Sequence, residues 1–347
     1  LSDTSATRGE LESFRGDRRE RVVRSREALV SSSTAPPPPP RVARDVAAVR
    51  DPSLVRLALT HPSPAARRAV VVLVDNSGSN REIASHIRNS SGHFAAMARL
   101  ADAQSETAFI YFSDHCDGER EQQAVDFVPA NDKGDRQLFS TLEQIHPASG
   151  GDEPEAIECA LHAAAEIDFA HVPRENRMLI LVSDVVPHGM EGVEKFGVRD
   201  DGCPNQRSWR RSMEEVRAAY GEFVFIGSGS SEMWRSLQLK LFETAPGVSD
   251  PEEVAVNFID FSTIRSQAHR NGLVGNAITF VLARRAGRQP VLAFLSALYE
   301  KWLANPIFGR DSDGKARDRI TNMARLYLRK MMTNEEIEQM LREVFAD

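Results

Sequence analysis

A short apolar run that ends in an acidic residue constrains the fold of this chain more than any other feature. Residues 70–74 read Val-Val-Val-Leu-Val, and Asp75 follows them directly. A continuous apolar run of this length, bounded by turn-forming residues, predicts a strand that is buried on both faces, as in a parallel sheet. We therefore expect the chain to fold around a buried parallel sheet.

Strand and helix patterns alternate after this run. Further strands are predicted at 107–112, 178–182, 223–226 and 254–258, with an edge strand at 124–128. Helical patterns cover residues 81–100, 135–145, 153–167, 209–220 and 231–242. This alternation predicts an α/β fold with a doubly wound, mostly parallel sheet of the Rossmann-like kind.

The 347 residues divide into four predicted segments. These are a disordered, proline-rich arm over 1–42, a short helical lead-in over 43–68, the α/β domain over 69–272 and a helical extension over 273–347. The arm is polar and ends in a run of prolines, a composition that cannot bury a core. In the extension, Thr333 and Glu336 have the spacing of a capping box that begins the last helix.

The composition argues against several classes of protein. A formal net charge of −7 argues against nucleic-acid binding as the main task. No apolar run approaches the roughly 20 residues that a membrane-spanning helix requires. Cys116, Cys159 and Cys203 are too few, and odd in number, for a disulfide framework. A reducing, intracellular and cytoplasmic location is therefore expected.

Three oxygen-bearing side chains follow the first strand. Asp75, Ser77 and Ser79 alternate along the loop that leads into the next helix. Open α/β sheets bind their ligands at the carboxyl ends of their strands, where this loop lies. Carboxylate and hydroxyl oxygens are hard donors of the kind that Mg²⁺ or Mn²⁺ prefers. The loop therefore predicts a metal-dependent binding site, although a simple turn capped by Ser79 or Asn80 would use the same residue types.

Two further segments offer oxygen ligands. Residues 149–156 form a glycine-rich loop that enters a helix with several acids, and Asp184 follows the predicted strand at 178–182. Each segment alone is compatible with helix capping or a turn. Three such segments at strand ends or loops are difficult to explain by capping alone, which favours the metal site.

The D-x-S-x-S loop and the late Asp resemble the metal-ion-dependent adhesion site (MIDAS) of von Willebrand factor A (vWA) domains. The resemblance covers roughly residues 69–272, including the order of the strands. It implies that Asp75, Ser77, Ser79 and Asp184 belong to the site. Residues 185–189, residues 200–204 and the strand near Phe223 are also similar to vWA domains of the α-kinase-associated type, although the chain has no kinase motif.

The second loop departs from the commonest vWA pattern, which has a Thr. The sequence Gly-Gly-Asp-Glu-Pro-Glu at 150–155 resembles the acidic variant of integrin β-type domains, in which the Glu after Pro is the ligand. This likeness favours Glu155, and Asp152 remains the competing ligand.

The resemblance implies a divalent-metal-dependent protein-interaction module, an adaptor or scaffold that binds an acidic side chain of a partner protein. The alternative is a hydrolase or phosphoryl-transfer enzyme that uses the same acidic site. We expect no enzyme, because Ser77 lacks the G-x-S-x-G context of a hydrolase nucleophile. A zinc site is not expected either, because His115, Cys116, His188 and Cys203 match no spacing of zinc ligands.

Overall fold

The computed structural model describes residues 66–128, 132–151, 153–169, 171–228, 232–244, 258–261, 267–304, 312–328 and 332–346. The strands are β1 Arg68–Asp75, β2 Ser105–Phe112, β3 Gln122–Val128, β4 Arg177–Ser183, β5 Glu222–Gly227 and β6 Phe258–Asp260. The α-helices are α1 Arg81–Ala101, α2 Asp132–Leu142, α3 Ile157–Ala165, α4 Trp209–Ala219, α5 Glu232–Glu243, α6 Gln267–Ala286, α7 Arg288–Leu303, α8 Ser312–Leu328 and α9 Asn334–Val344. Short 3-10 turns lie at His115–Arg120, Arg174–Asn176 and Val193–Phe196. The predicted arm and almost all of the lead-in lie outside the described residues.

The six strands form one sheet in the order β3-β2-β1-β4-β5-β6. All neighbouring pairs are parallel except β2 and β3, which pair antiparallel at the edge. The predicted α/β fold with a mostly parallel sheet is confirmed, and so is the edge strand. The chain leaves β1 toward β2 on one side and later returns to β4 on the other, so a topological switch point lies between β1 and β4.

The apolar run of β1 is buried on both faces, as its sequence predicts. Val70, Val72 and Val74 contribute to the core on one side of the sheet, and Val71 and Leu73 contribute to the core on the other side. Helices α1, α2 and α6–α9 contribute to the first core, whereas α3, α4 and α5 contribute to the second. Because consecutive side chains in a strand point to opposite faces, a strand between two helical layers must be apolar throughout.

The C-terminal helices share a core with the sheet. Helix α6 packs along α1, and a Cβ atom added at Gly275 would lie 2.8 Å from Nε2 of His86. A larger residue at this position would require the His86 ring to move. The expected boundary between 272 and 273 lies inside α6, and helices α7–α9 continue the same apolar cluster.

Several element boundaries differ from the predicted ones. Helix α3 begins at Ile157 rather than at residue 153, because residues 153–156 belong to a loop in which Glu155 bridges to Pro187. The glycines at 309 and 314 predict a break between two helices of the extension, but helix α8 begins inside this stretch at Ser312, with Asp313 in its first turn. Strand β6 extends to Asp260 rather than ending at residue 258, and residues 254–257 of the predicted strand lie outside the described residues.

Within the described ranges, no helix is both long enough and apolar enough to cross a membrane.

Helix α9 carries an apolar stripe that provides a test of the shared core. The predicted capping box is present, since Thr333 Oγ1 accepts from the Glu336 amide at 3.2 Å and Glu336 Oε2 accepts from the Thr333 amide at 2.7 Å.

Met340 on the stripe is fully buried. We expect Met340→Ala to lower the free energy of unfolding by about 2–5 kcal/mol, because it leaves a cavity in the core. Urea denaturation measures this change. Gln339→Ala, on the exposed side of α9, should change it by less than about 0.5 kcal/mol, and equal effects of the two substitutions would contradict the shared core.

Candidate metal centre

Asp75 is fully buried at the carboxyl end of β1, next to the switch point. Its Oδ1 accepts from the backbone N–H of Ser77 at 3.0 Å, and its Oδ2 accepts from the hydroxyl of Ser183 at 2.8 Å. Ser183 ends β4, the neighbouring strand. The two hydrogen bonds fix the carboxylate between the ends of two parallel strands.

The loop after Asp75 turns its hydroxyls toward each other. Ser77 Oγ and Ser79 Oγ are 3.2 Å apart, and Ser77 is buried whereas Ser79 is exposed. Asn80 holds the far end of the loop by donating from Nδ2 to the Asp75 carbonyl at 2.8 Å, while its Oδ1 accepts from Ser228 at 2.8 Å. Asn80 makes no side-chain hydrogen bond as a cap of α1. Its side chain therefore serves the loop rather than the helix.

The glycine-rich loop that begins at Ser149, the second loop of the site, packs directly against the first loop, which follows Asp75. The Gly78 amide donates to the Ser149 carbonyl at 3.3 Å. The Asp117 carboxylate accepts from the amides of Ser149 and Gly150 at 3.1 and 3.0 Å. Gly150 has φ of 71°, and a Cβ atom there would lie 2.9 Å from Oε1 of Glu155. A glycine at this position lets the loop pass close to the Glu155 carboxylate.

Glu155 enters the site from the second loop. Its amide donates to the Val186 carbonyl at 3.2 Å, which ties this loop to the segment after β4. The residue is 3% exposed, and its Oε2 is buried without a hydrogen-bond partner. Asp152, the competing ligand, lies outside the described residues. Asp184 completes the group beside Ser79, and its Oδ1 is likewise buried without a partner.

Burial raises the pKa of all three carboxyl groups, and the charge of Asp75 adds to the rise at Glu155 and Asp184. Burial, the largest cause, raises the pKa of Asp75 above its ordinary value, against the hydrogen bonds from Ser77. Burial and then the charges of Asp75 and Asp114 raise the pKa of Glu155 to about 10. Burial and the charge of Asp75 raise the pKa of Asp184 to about 8. Shifts of this kind arise where carboxylates are crowded together without a compensating cation.

The donor set fits a hard divalent cation. Two hydroxyls and three carboxylates converge on one edge of the sheet, from Asp75, Ser77, Ser79, Glu155 and Asp184. Two buried carboxylate oxygens still lack partners, and a buried polar atom without a partner is costly. Such oxygens are the ligands that Mg²⁺ and Mn²⁺ prefer.

Some residues that shape the centre are not among the site residues predicted from the sequence. Ser183 orients Asp75, and Asp117 holds the second loop. Asp114 lies just beyond the end of β2, where its charge acts on Glu155. Ser183 directly precedes Asp184 at a strand end, so its position is a usable signal. Asp117 has no such signal, because its partners lie about thirty residues further along the chain.

The linear spacing of the cysteines and histidines predicts no zinc site, yet the fold brings some of them together. His115, Glu158, Cys159 and Cys203 come together in a second cluster, which we call the thiol cluster. Glu158 and Cys159 are adjacent in α3, whereas His115 and Cys203 lie more than forty residues away on either side. Linear spacing therefore could not reveal the group.

Comparison with known proteins gives no family assignment. No protein-family model matches the sequence, and no curated protein matches it significantly. The pilus adhesin SpaC from Lactobacillus rhamnosus GG is similar over 65% of this chain and 32% of its own, with 15% identity and a TM-score of 0.44. Proximal thread matrix protein 1 from the mussel byssus is similar over 62% of this chain and 48% of its own, with 14% identity and a TM-score of 0.39. The chain thus spans less than half the length of either structure.

The Ser183 hydroxyl provides a test of how the centre is built. We expect Ser183→Ala to lower the free energy of unfolding by about 1–3 kcal/mol, because Asp75 Oδ2 loses a buried hydrogen bond. Urea denaturation in the presence of a chelator measures the effect on the metal-free protein. Ser140→Ala, at an exposed position of α2, is the matched control and should change stability by less than about 0.5 kcal/mol. A Ser183→Ala effect no larger than that of the control would contradict the role assigned to this hydrogen bond.

Proposed function

We propose that this chain is a vWA domain whose MIDAS-type centre holds Mg²⁺ or Mn²⁺ and binds an acidic side chain of a partner protein. The observation that carries the proposal is the pair of buried carboxylate oxygens without hydrogen-bond partners, Glu155 Oε2 and Asp184 Oδ1, next to Asp75. Structural carboxylates would normally be satisfied by donors in the protein. A bound cation would satisfy both oxygens at once.

The architecture around the centre supports the same proposal. The D-x-S-x-S loop follows the central strand β1, and Asp184 follows the neighbouring strand β4. The two strands flank the switch point, where doubly wound sheets bind ligands. This arrangement supports the proposal, because in the vWA family the same two strand ends contribute to the metal site.

The residues divide into those that position the site and those that would contact the ion. Asp75 is held by Ser183 and by the Ser77 amide, so its carboxylate has little freedom to move. The hydroxyls of Ser77 and Ser79 lie side by side at 3.2 Å and would contact the ion together. Glu155 would contribute the acid that replaces the Thr of the commonest vWA pattern. When bound, the ion supplies an open coordination position for a carboxylate oxygen of the partner.

The rim of the centre is accessible to a partner. Gly78 and Ser79 on the first loop and Ser149 and Gly151 on the second are exposed, whereas Asp75 and Ser77 below them are buried. A side chain that approaches from solvent would therefore meet the hydroxyl of Ser79 before the carboxylate of Asp75.

The charge of the centre limits how a partner can bind. Asp75, Glu155 and Asp184 carry three negative charges when ionised, more than one divalent cation neutralises. An acidic partner would gain little from long-range attraction. Its affinity would depend on direct coordination and on the contacts that surround the rim. We therefore propose that the partner carries a single exposed acid within an otherwise neutral or basic surface.

Metal binding by the protein alone is the first test. We expect calorimetry to show one Mg²⁺ or Mn²⁺ bound per chain, and Asp75→Ala and Glu155→Gln to lose or strongly weaken it. At a metal concentration of 100 times Kd, the parent should gain about 2.7 kcal/mol of stability. Glu143→Ala removes an exposed acid at the end of α2 and should bind metal like the parent. Absence of binding at millimolar metal in a folded parent would refute the proposal.

Partner recognition is the second test. Random peptides displayed on phage can be selected on the Mg²⁺-loaded chain and eluted with a chelator. We expect the eluted peptides to share an Asp or Glu, and replacement of that acid by its amide to abolish binding. Peptides that bind the Asp75→Ala variant equally well, or bind in chelator, would contradict recognition through the ion.

The parent is also assayed with a generic phosphate ester, and turnover that depends on Asp75 would favour the alternative enzyme.

A further inference from the structure

The thiol cluster shares no residue with the metal centre. His115 belongs to the 3-10 turn after β2, Glu158 and Cys159 belong to the first turn of α3, and Cys203 belongs to the loop before α4. One ligand atom from each of the four residues lies within 4.8 Å of every other. Three segments that are distant in sequence therefore present two thiols, an imidazole and a carboxylate to one point.

Two of the six distances between ligand atoms are close to those around a small tetrahedral ion. The sulfur atoms of Cys159 and Cys203 are 3.6 Å apart, and His115 Nε2 is 2.8 Å from Glu158 Oε1. Zinc–ligand bonds of 2.0–2.3 Å in a tetrahedron place neighbouring ligand atoms about 3.3–3.8 Å apart. The two sulfurs already have this separation. To reach this separation, the imidazole of His115 and the carboxylate of Glu158 need to move apart by about half an ångström. A small rotation of either side chain is enough for this movement.

Three of the four residues are contacted by groups of the kind that usually orient zinc ligands. Oε1 of Glu121 lies 3.1 Å from Nδ1 of His115, on the ring atom that faces away from Glu158. The His188 amide donates to Glu158 Oε2 at 3.1 Å, and Asn205 Nδ2 donates to Cys159 Sγ at 3.5 Å. A carboxylate behind a ligating histidine and hydrogen bonds to the other ligands typically orient a metal site.

We propose that His115, Glu158, Cys159 and Cys203 form a structural Zn²⁺ site. Thiolate and imidazole donors favour zinc, whereas the all-oxygen centre at Asp75 favours magnesium or manganese. Zinc binds the deprotonated thiols, so the two cysteines together release two protons to solvent. Two thiolates, one carboxylate and a neutral imidazole leave the site with a net charge of −1. Four protein ligands fill a tetrahedral shell, which is the pattern of a structural rather than a catalytic zinc.

The site fastens a long loop to the body of the domain. Residues 197–208, between the 3-10 turn and α4, contain no helix or strand, and Cys203 lies in the middle of this segment. Coordination of Cys203 together with Cys159 would attach the segment to α3. Asp200 in the same loop accepts from the Gly189 amide at 2.7 Å and contacts His188 Nδ1 at 3.1 Å. The zinc would therefore also hold His188, whose Nε2 is 3.1 Å from Asp114 near the Mg²⁺ centre.

The test measures zinc in the full chain purified under reducing conditions. Elemental analysis should find one Zn²⁺ per chain, and Co²⁺ in its place should give the thiolate charge-transfer and intense visible bands of tetrahedral coordination. Cys203→Ser should lose stoichiometric zinc and weaken the thiolate band. Glu121→Gln should weaken zinc binding by about 10–100-fold while leaving the Co²⁺ bands in place, because it alters only the orientation of His115.

Two controls separate this site from others. Cys116→Ser removes the exposed cysteine next to His115 and should keep both the zinc and the Co²⁺ spectrum. Asp75→Ala should also keep the zinc, so failure of the Mg²⁺ centre and failure of the zinc site are distinguishable. If Cys203→Ser does not fold, the metal content and Co²⁺ spectrum of the parent decide. A parent that takes up no zinc, lacks thiolate bands, or contains a Cys159–Cys203 disulfide in place of two free thiols would overturn the proposal.

Discussion

The carboxylate of Asp75, buried at the end of the central strand, is the constraint on which the rest of this edge depends. An ionisable group in such a position is costly unless hydrogen bonds or a cation compensate it. Its hydrogen bond with Ser183 joins the ends of β1 and β4, and its contact with the Ser77 amide shapes the first loop. The second loop then docks on the first through Gly78 and Ser149. The proposed ligands are thus brought together by the packing of two strands and two loops.

The two proposed metal sites differ in chemistry but share a boundary. The oxygen ligands around Asp75 suit a hard cation that a partner can reach from solvent. The thiol cluster suits zinc, which would be coordinated entirely by protein side chains. His188 lies between them, since its ring contacts Asp114 and its amide donates to Glu158. We propose that the zinc site makes the part of the Mg²⁺ centre next to His188 rigid. A module that captures a partner needs such rigidity, because a preformed site loses less conformational entropy on binding.

The sequence predicts local features of this molecule better than long-range ones. The buried strand at 70–74 and the side chains that follow it are encoded within ten residues, so the sheet and the positions of Asp75, Ser77 and Ser79 at its edge follow from pattern alone. Asp184 is found in the same way, at the end of another apolar run. The start of α3 is misplaced, because the bridge between Glu155 and Pro187 overrides the helical pattern. The thiol cluster has no local pattern, because the fold alone brings its three segments together.

We propose that the carboxylates at the ends of β1 and β4 hold a divalent cation. Anomalous diffraction from crystals of the parent chain, grown with millimolar Mn²⁺ and recorded at the manganese absorption edge, tests it most directly. We expect one strong peak in direct contact with the hydroxyls of Ser77 and Ser79, close to Asp75, Glu155 and Asp184. The absence of a peak at this place, or manganese bound only elsewhere on the chain, would contradict the claim.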